Sequence, residues 1–160
     1  MIPKLNNLQK IITRDGSISL KSEEFNESFH SYKGALQETK IKFIYPSMIG
    51  RFKDKSLTVL DVCFGLGYNS ALLFNNLINQ STTVTWYGLE IDKRPLNFAL
   101  KEQGFKELWD PTVINILNSL CLDEIYTDKN FYCELIFGDA RHTILNIPEE
   151  IKFDLIFLDG

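Results

Sequence analysis

Two rhythms of apolar and polar residues divide this chain. Up to residue 22 the spacing is that of a hairpin: Lys10-Ile11-Ile12-Thr13 leads into Arg14-Asp15-Gly16-Ser17, and Ile18-Ser19-Leu20-Lys21 alternates apolar with polar. Asp-Gly between two such runs marks a tight turn, because glycine tolerates positive φ at low cost. A polar stretch follows. Residues 34–40 then read as a helix that Pro46 is expected to stop.

From Leu57 the rhythm becomes strand, loop, helix. Residues 57–62, 84–90, 132–137 and 153–158 are short apolar runs of buried-strand type. A glycine-bearing turn and a helix beginning near Asn69 follow the first. Asp92 and Pro95 supply a cap and a first-turn proline for the next helix, and Asp110-Pro111 repeats that signal ahead of Val113, Ile114, Leu117 and Leu120. Alternating strands and helices predict a parallel sheet covered on both faces. Residues 1–55 are expected to form an N-terminal hairpin and helix extension. Residues 56–160 are expected to form a Rossmann-like cofactor-binding part, incomplete at its C-terminus. The sequence stops at Asp159-Gly160, directly after a core-type strand, so the expectation is a piece of a longer domain with an open sheet edge.

Composition narrows the class. At 160 residues, 44% hydrophobic and 24% charged, the chain can bury a core. No apolar run approaches the roughly 20 residues that span a bilayer, and no leader-like apolar segment opens the sequence. Three cysteines without CxxC spacing point to a reducing, cytoplasmic setting, and two histidines leave no multi-histidine metal site. Residues 1–55 carry ten Lys and Arg against six Asp and Glu, whereas the remainder carries seven against fifteen. The split reads either as two solvated faces or as a basic segment for a polyanion followed by an acidic half for a cationic ligand.

The chemistry sits at the strand ends, where open α/β sheets bind ligands. The first ends in Asp61-Val62-Cys63-Phe64-Gly65-Leu66-Gly67-Tyr68-Asn69, whose glycines let a backbone approach a ligand at a helix N-terminus. The second ends in Glu90, suited to ribose hydroxyls. The third ends in Gly138-Asp139-Ala140, where Asp139 can accept from an adenine amino group and Ala140 leaves room beside the ring. The fourth ends in Asp159. Singly, each has a purely structural reading: a tight turn, a capping acid, a loop acid. Jointly and in order, they point to a nucleotide. Gly65-x-Gly67-x-x-Ser70 is close to a dinucleotide fingerprint. A pyrophosphate is anionic, however, and the surrounding acids favour S-adenosylmethionine, with its sulfonium and ammonium groups.

These segments resemble the MnmC-like methyltransferase family, class I S-adenosylmethionine-dependent enzymes that modify the wobble uridine of tRNA. The likeness runs from about residue 12 to the end. It is carried by Thr13-Arg14-Asp15-Gly16-Ser17, by Phe29 through Thr39, by Phe64-Gly65-Leu66-Gly67-Tyr68-Asn69, by Glu90 with Pro95-Leu96, by Phe137-Gly138-Asp139 and by Phe157-Leu158-Asp159-Gly160. The resemblance implies methyl transfer to the primary amine of 5-aminomethyluridine, often 2-thiolated, with tRNA as partner substrate. It implies Gly65, Gly67 and Asn69 around the cofactor's methionine end, Glu90 at its ribose, Asp139 and Ala140 at its adenine, Asp61 and Phe64 as further cofactor-binding residues, and Glu38 closing the site. Asp159 would be the catalytic acid facing the acceptor amine. Cys63 departs from the family pattern, which usually has glycine there, so its side chain narrows the methionine pocket or faces the core. The aromatic-x-Pro loop and three further strands that continue the family domain are absent, as is the oxidoreductase domain fused to some relatives. No flavin is therefore expected, and an oxidoreductase would be a separate partner. Another amine substrate and a non-catalytic cofactor-binding remnant stand as alternatives. His30 reads as a structural loop histidine.

Overall fold

The structure, a computed structural model, describes residues 8–160; Lys4 of the basic segment and the N-terminal residues read for a leader lie outside that range. Three antiparallel strands open it: β1 (Leu8–Ile12), β2 (Ile18–Ser22) and the short β3 (Glu27–Ser28). The expected hairpin is present with its partners in simple register, Ile12 opposite Ile18 and Lys10 opposite Leu20. Ile18 and Leu20 bury one face of β2 in the main core.

A helix then runs further than the sequence suggests. Helix α1 (Ala35–Glu38) continues as a π-helical segment, Thr39–Ile44, and then as α2 (Tyr45–Ser47). Pro46 does not stop it. Proline disrupts an α-helix by losing one hydrogen bond and striking the carbonyl four residues back. The wider π turn just ahead shifts that register, and Pro46 takes an early position in the next turn, where no N–H is needed.

The second sheet has five strands in the order β6-β7-β5-β4-β8. Strands β4 (Ser56–Val62), β5 (Thr83–Glu90), β7 (Phe131–Phe137) and β8 (Leu155–Leu158) are parallel. The four expected strands are therefore all found. A fifth, β6 (Ile125–Thr127), pairs antiparallel with β7, so the sheet is mixed. Its three residues are too few to show an alternating pattern. Between the strands lie α3 (Tyr68–Leu77), α4 (Arg94–Lys101), α5 (Gln103–Lys106), α6 (Pro111–Asp123) and α7 (Ala140–Thr143). Asp110 caps α6 by accepting from the Thr112 N–H at 2.8 Å, as its position predicts.

The two faces are covered unequally. On one, Val59, Trp86, Cys133 and Phe157 pack with Phe74, Ile116 and Leu120 from the helices and with Ile18 and Leu20 of β2. On the other, Leu60, Tyr87 and Leu89 meet only Ile147 and the partly buried residues near it. The β7-to-β8 connection has one short helix, α7, and cannot cover that face fully. Leu158 on β8 is 72% exposed. The expectation of helices on both faces is thus corrected: one face is thickly covered and the other thinly. No helix among the described residues is long and apolar enough to cross a membrane.

Candidate active site

The carboxyl ends of β4, β5 and β8 open into a cavity of about 440 Å³. Its floor is the β4–α3 turn with Cys63, Phe64, Gly65 and Asn69. One wall carries Glu90, Asp92 and Pro95, and Asp159 and Gly160 close the far side. The roof comes from the N-terminal sheet: Phe25, Glu27, Phe29 and His30. Among the described residues the lining holds the carboxylates of Glu27, Glu90, Asp92 and Asp159 and no Lys or Arg; Asp92 is paired with Arg94.

Local sequence explains the turn. Gly65 and Gly67 have φ of +59° and +92°, in the left-handed region that glycine enters freely. A Cβ on Gly67 would lie 2.7 Å from the Phe64 ring, which explains why a side chain is excluded there. Cys63 adopts φ +64° without being glycine, so the slot keeps the glycine conformation with a thiol in it. The thiol is exposed and lines the cavity. Of the two places expected for it, it takes the one that narrows the pocket. Burial, then the charges of Glu90, Asp61 and Asp159, push the thiol pKa up.

Glu90 holds this turn together. Its Oε2 accepts from the Gly65 N–H at 2.6 Å, and its Oε1 accepts from the Ile91 and Asp92 N–H groups. Three of roughly four carboxylate lone pairs are thereby engaged, leaving one on Oε2. Burial raises its pKa, and the three backbone donors oppose that rise.

Asp61 lies beneath the cavity rather than in its lining. It is fully buried, accepts from Ser70 Oγ at 2.5 Å on Oδ2, and has no partner on Oδ1. The Ser70 oxygen in turn accepts from the Trp86 ring N–H at 2.7 Å. Burial is the main reason its pKa rises to about 7, with the charges of Asp159 and Glu90 adding to it against the Ser70 hydrogen bond.

Asn69 joins two elements: its Nδ2 donates to Asp159 Oδ2 at 3.1 Å, and its Oδ1 accepts from the buried Thr39 hydroxyl at 2.9 Å. Burial raises the Asp159 pKa; the Asn69 donor lowers it and the Glu38 charge raises it. Glu38 stands behind the wall, accepting from the Ser31 N–H at 2.6 Å and pairing with Lys42. Burial pulls its pKa up, but these donors outweigh it and leave it lowered.

Among the sequence-derived site residues, Phe64, Gly65, Asn69, Glu90 and Asp159 share the cavity lining. Asp61, Gly67 and Glu38 support it from behind. Asp139 and Ala140 stand apart. Asp139 caps α7 through the Arg141 N–H at 2.9 Å and pairs with the Arg141 guanidinium, which holds its carboxyl well below the usual range. Ala140 packs with the thin-side cluster. The roof residue Phe25 carries no pattern in the sequence, and Phe29 stands out only as the start of the Phe29-to-Thr39 segment. His30 is structural in part, its Nδ1 2.7 Å from Ser19 Oγ, yet it also lines the cavity. Burial lowers its pKa to about 4, so it adds no positive charge near neutrality. Among the described residues, no group of three or more His, Cys, Asp or Glu side chains is placed to hold a metal ion.

With this geometry in hand, three comparisons bear on the chain. No protein-family model matches it. It is 29% identical over 148 residues to an uncharacterized protein of Methanocaldococcus jannaschii, a match covering 92% of this chain and 40% of that protein. Its fold matches the crystal structure of MNMC2 from Aquifex aeolicus with a TM-score of 0.77 and 27% identity, over 99% of this chain and 50% of that one. The chain spans half or less of the length of these two proteins. The match takes in nearly the whole chain, so the N-terminal sheet, the helices and the five-stranded sheet together share the fold of that structure, a Rossmann-like α/β architecture.

Proposed function

We propose that this chain forms the cofactor-binding part of an S-adenosylmethionine-dependent methyltransferase. Its acceptor is the aminomethyl group of 5-aminomethyl(-2-thio)uridine at the tRNA wobble position. The observation that carries the reading is a cavity lined, among the described residues, by four carboxylates, a neutral His30 and no Lys or Arg. A pyrophosphate would bring negative charge into that field, whereas a sulfonium and an ammonium bring positive charge. The donor set fits: Glu90 keeps one lone pair for a ribose hydroxyl, and Gly65, without a side chain, lines the cavity. Phe64 and Asn69 are assigned to the methionine end, with Asp61 supporting the turn from beneath. Asp139 and Ala140 are assigned to the adenine end on the strength of the motif.

When bound, the cofactor supplies an electrophilic methyl on sulfur. The protein must deliver a neutral amine to it. An alkyl ammonium has a pKa near ~10 and arrives protonated. Asp159 takes that proton. Partial burial has already raised its basicity, and Asn69 holds one of its oxygens. Such a base contributes about 10²- to 10⁴-fold, with the remainder coming from positioning and desolvation.

Labelled cofactor, purified chain and tRNA bearing the aminomethyl group test this directly. Asp159→Asn is expected to keep cofactor affinity within about twofold and to lower methyl transfer by at least ~10²-fold. Equal turnover by the variant would overturn the assignment of the base. Transfer to a small amine but not to tRNA would move the acceptor to another amine. Cofactor binding without any transfer would favour a binding module.

A further inference from the structure

We propose that Thr39 is a positioning residue for the Asp159 carboxylate, acting through the side-chain amide of Asn69. The inference deepens the reading of Asp159 as base and rests on it. Three elements meet in this relay: the π-helical segment, the start of α3 and the residue after β8. Thr39 is only 1% exposed, and its hydroxyl is spent across the interface on Asn69 Oδ1 at 2.9 Å. π-helical turns inside α-helices recur at functional sites, where they redirect a side chain.

The chemistry lies in the polarity of the amide. An asparagine can present either its oxygen or its NH₂ to a neighbour. A hydroxyl donating to Oδ1 turns Nδ2 toward Asp159, and an N–H donor favours an ionised carboxylate over a protonated one. Without that hydroxyl the amide is free to turn its oxygen to Asp159, and an oxygen there favours the protonated acid. The relay therefore keeps Asp159 in the form that can accept a proton. It also engages Oδ2 alone. Asp159 Oδ1 has no hydrogen-bond partner among the described residues, and this is the oxygen assigned to the acceptor's ammonium. The other charged or titratable groups whose fields reach this locus are Glu38 and Lys42 from the N-terminal helix, Asp61 from β4, and Cys63.

The test needs neither cofactor nor acceptor. In the chain carrying ¹³C-labelled aspartate carboxyls, the Asp159 signal is the one lost in Asp159→Asn, and its midpoint is followed by titration. Thr39→Val is expected to raise that midpoint by about half a unit to one unit, the worth of one hydrogen bond. Thr39→Ser is expected to restore it. In an Asn69→Ala background, Thr39→Val is expected to add no shift, because the path runs through Asn69. An unchanged midpoint in Thr39→Val overturns the proposal, and so does a shift that persists without Asn69. If Thr39→Val fails to fold, Thr39→Ala is read in the same way. A shift found in a chain that never binds the cofactor would keep the relay and remove only the methyltransferase reading.

Discussion

At the scale of single residues, burial sets how Asp61 behaves. Its pKa in the fold, about 7, lies above its ordinary 3.8. Below 3.8 both folded and unfolded chains hold the proton. Between 3.8 and about 7 the unfolded chain releases it and the folded chain does not, so stability drains away as pH rises through that window. His30 runs the other way, losing stability as pH falls from 6.5 toward about 4, and this flattens the overall profile. Asp61→Asn removes only the first effect. The stability of the variant relative to wild type is expected to climb steadily from pH 4 to pH 7, read from denaturant midpoints; a constant gap would contradict the assignment. Cys63 offers a second check. At φ +64° an ordinary side chain carries roughly 1–2 kcal/mol of strain. Cys63→Gly is expected to be at least as stable as wild type. Cys63→Val, β-branched, should lose about 1–2 kcal/mol, since bulk at Cβ is least tolerated there. Single residues were unevenly legible. Gly65, Glu90 and Asp159 could be picked out because each ends a strand. Nothing in the sequence distinguishes Asp139, which caps a helix and pairs with Arg141, from Glu90, which reaches back to the glycine turn. The difference is one of side-chain direction, and that is set by tertiary packing.

At the scale of elements, the hairpin turn caps a helix. Thr13 Oγ1, Ser17 Oγ and Asp15 Oδ2 accept from the N–H groups of Ala35, Leu36 and Gln37, the first turn of α1. These N–H groups have no partner within the helix itself, so the turn supplies what the helix cannot. Gly34 permits the close approach: a Cβ there would fall 2.2 Å from the Asp15 carboxylate. Asp15→Ala is expected to cost about 1–3 kcal/mol by stripping acceptors from Gln37 and Ser17, measured by urea denaturation. Gly34→Ala should destabilise through the clash, and pairing it with Asp15→Ala should cost less than the two effects added. An additive result would contradict a shared contact. The hairpin was legible because period-two alternation and Asp-Gly are local signals, and the four parallel strands because short apolar runs are. The π-helical segment was not, because its register depends on where Thr39 and Ile44 must be buried.

At the scale of the whole molecule, charge and coverage are both uneven. Arg14, Lys33 and Lys42 are exposed and belong to the basic N-terminal segment, which on the polyanion reading would meet the tRNA backbone. A few phosphate contacts would make affinity for tRNA fall at least about tenfold between ~50 and ~200 mM salt. A flat profile would contradict that assignment. The open face of β8, with Ile156 57% and Leu158 72% exposed, predicts concentration-dependent self-association. Leu158→Lys is expected to reduce it in sedimentation velocity at little cost in stability, and an unchanged distribution would contradict this. Fold class was legible in the sequence as a whole because alternating strands and helices admit few topologies. The cavity roof was not, because Phe25 and Phe29 reach it only through the packing of the first sheet on the second. What the acidic cavity accepts is measured most directly by titration calorimetry of the chain with S-adenosylmethionine and with NAD. An acidic cofactor cavity is expected to give saturable heat with the sulfonium nucleotide, weakened by Glu90→Ala, and none with the dinucleotide. Binding of NAD with equal strength, or no heat from either, would contradict it.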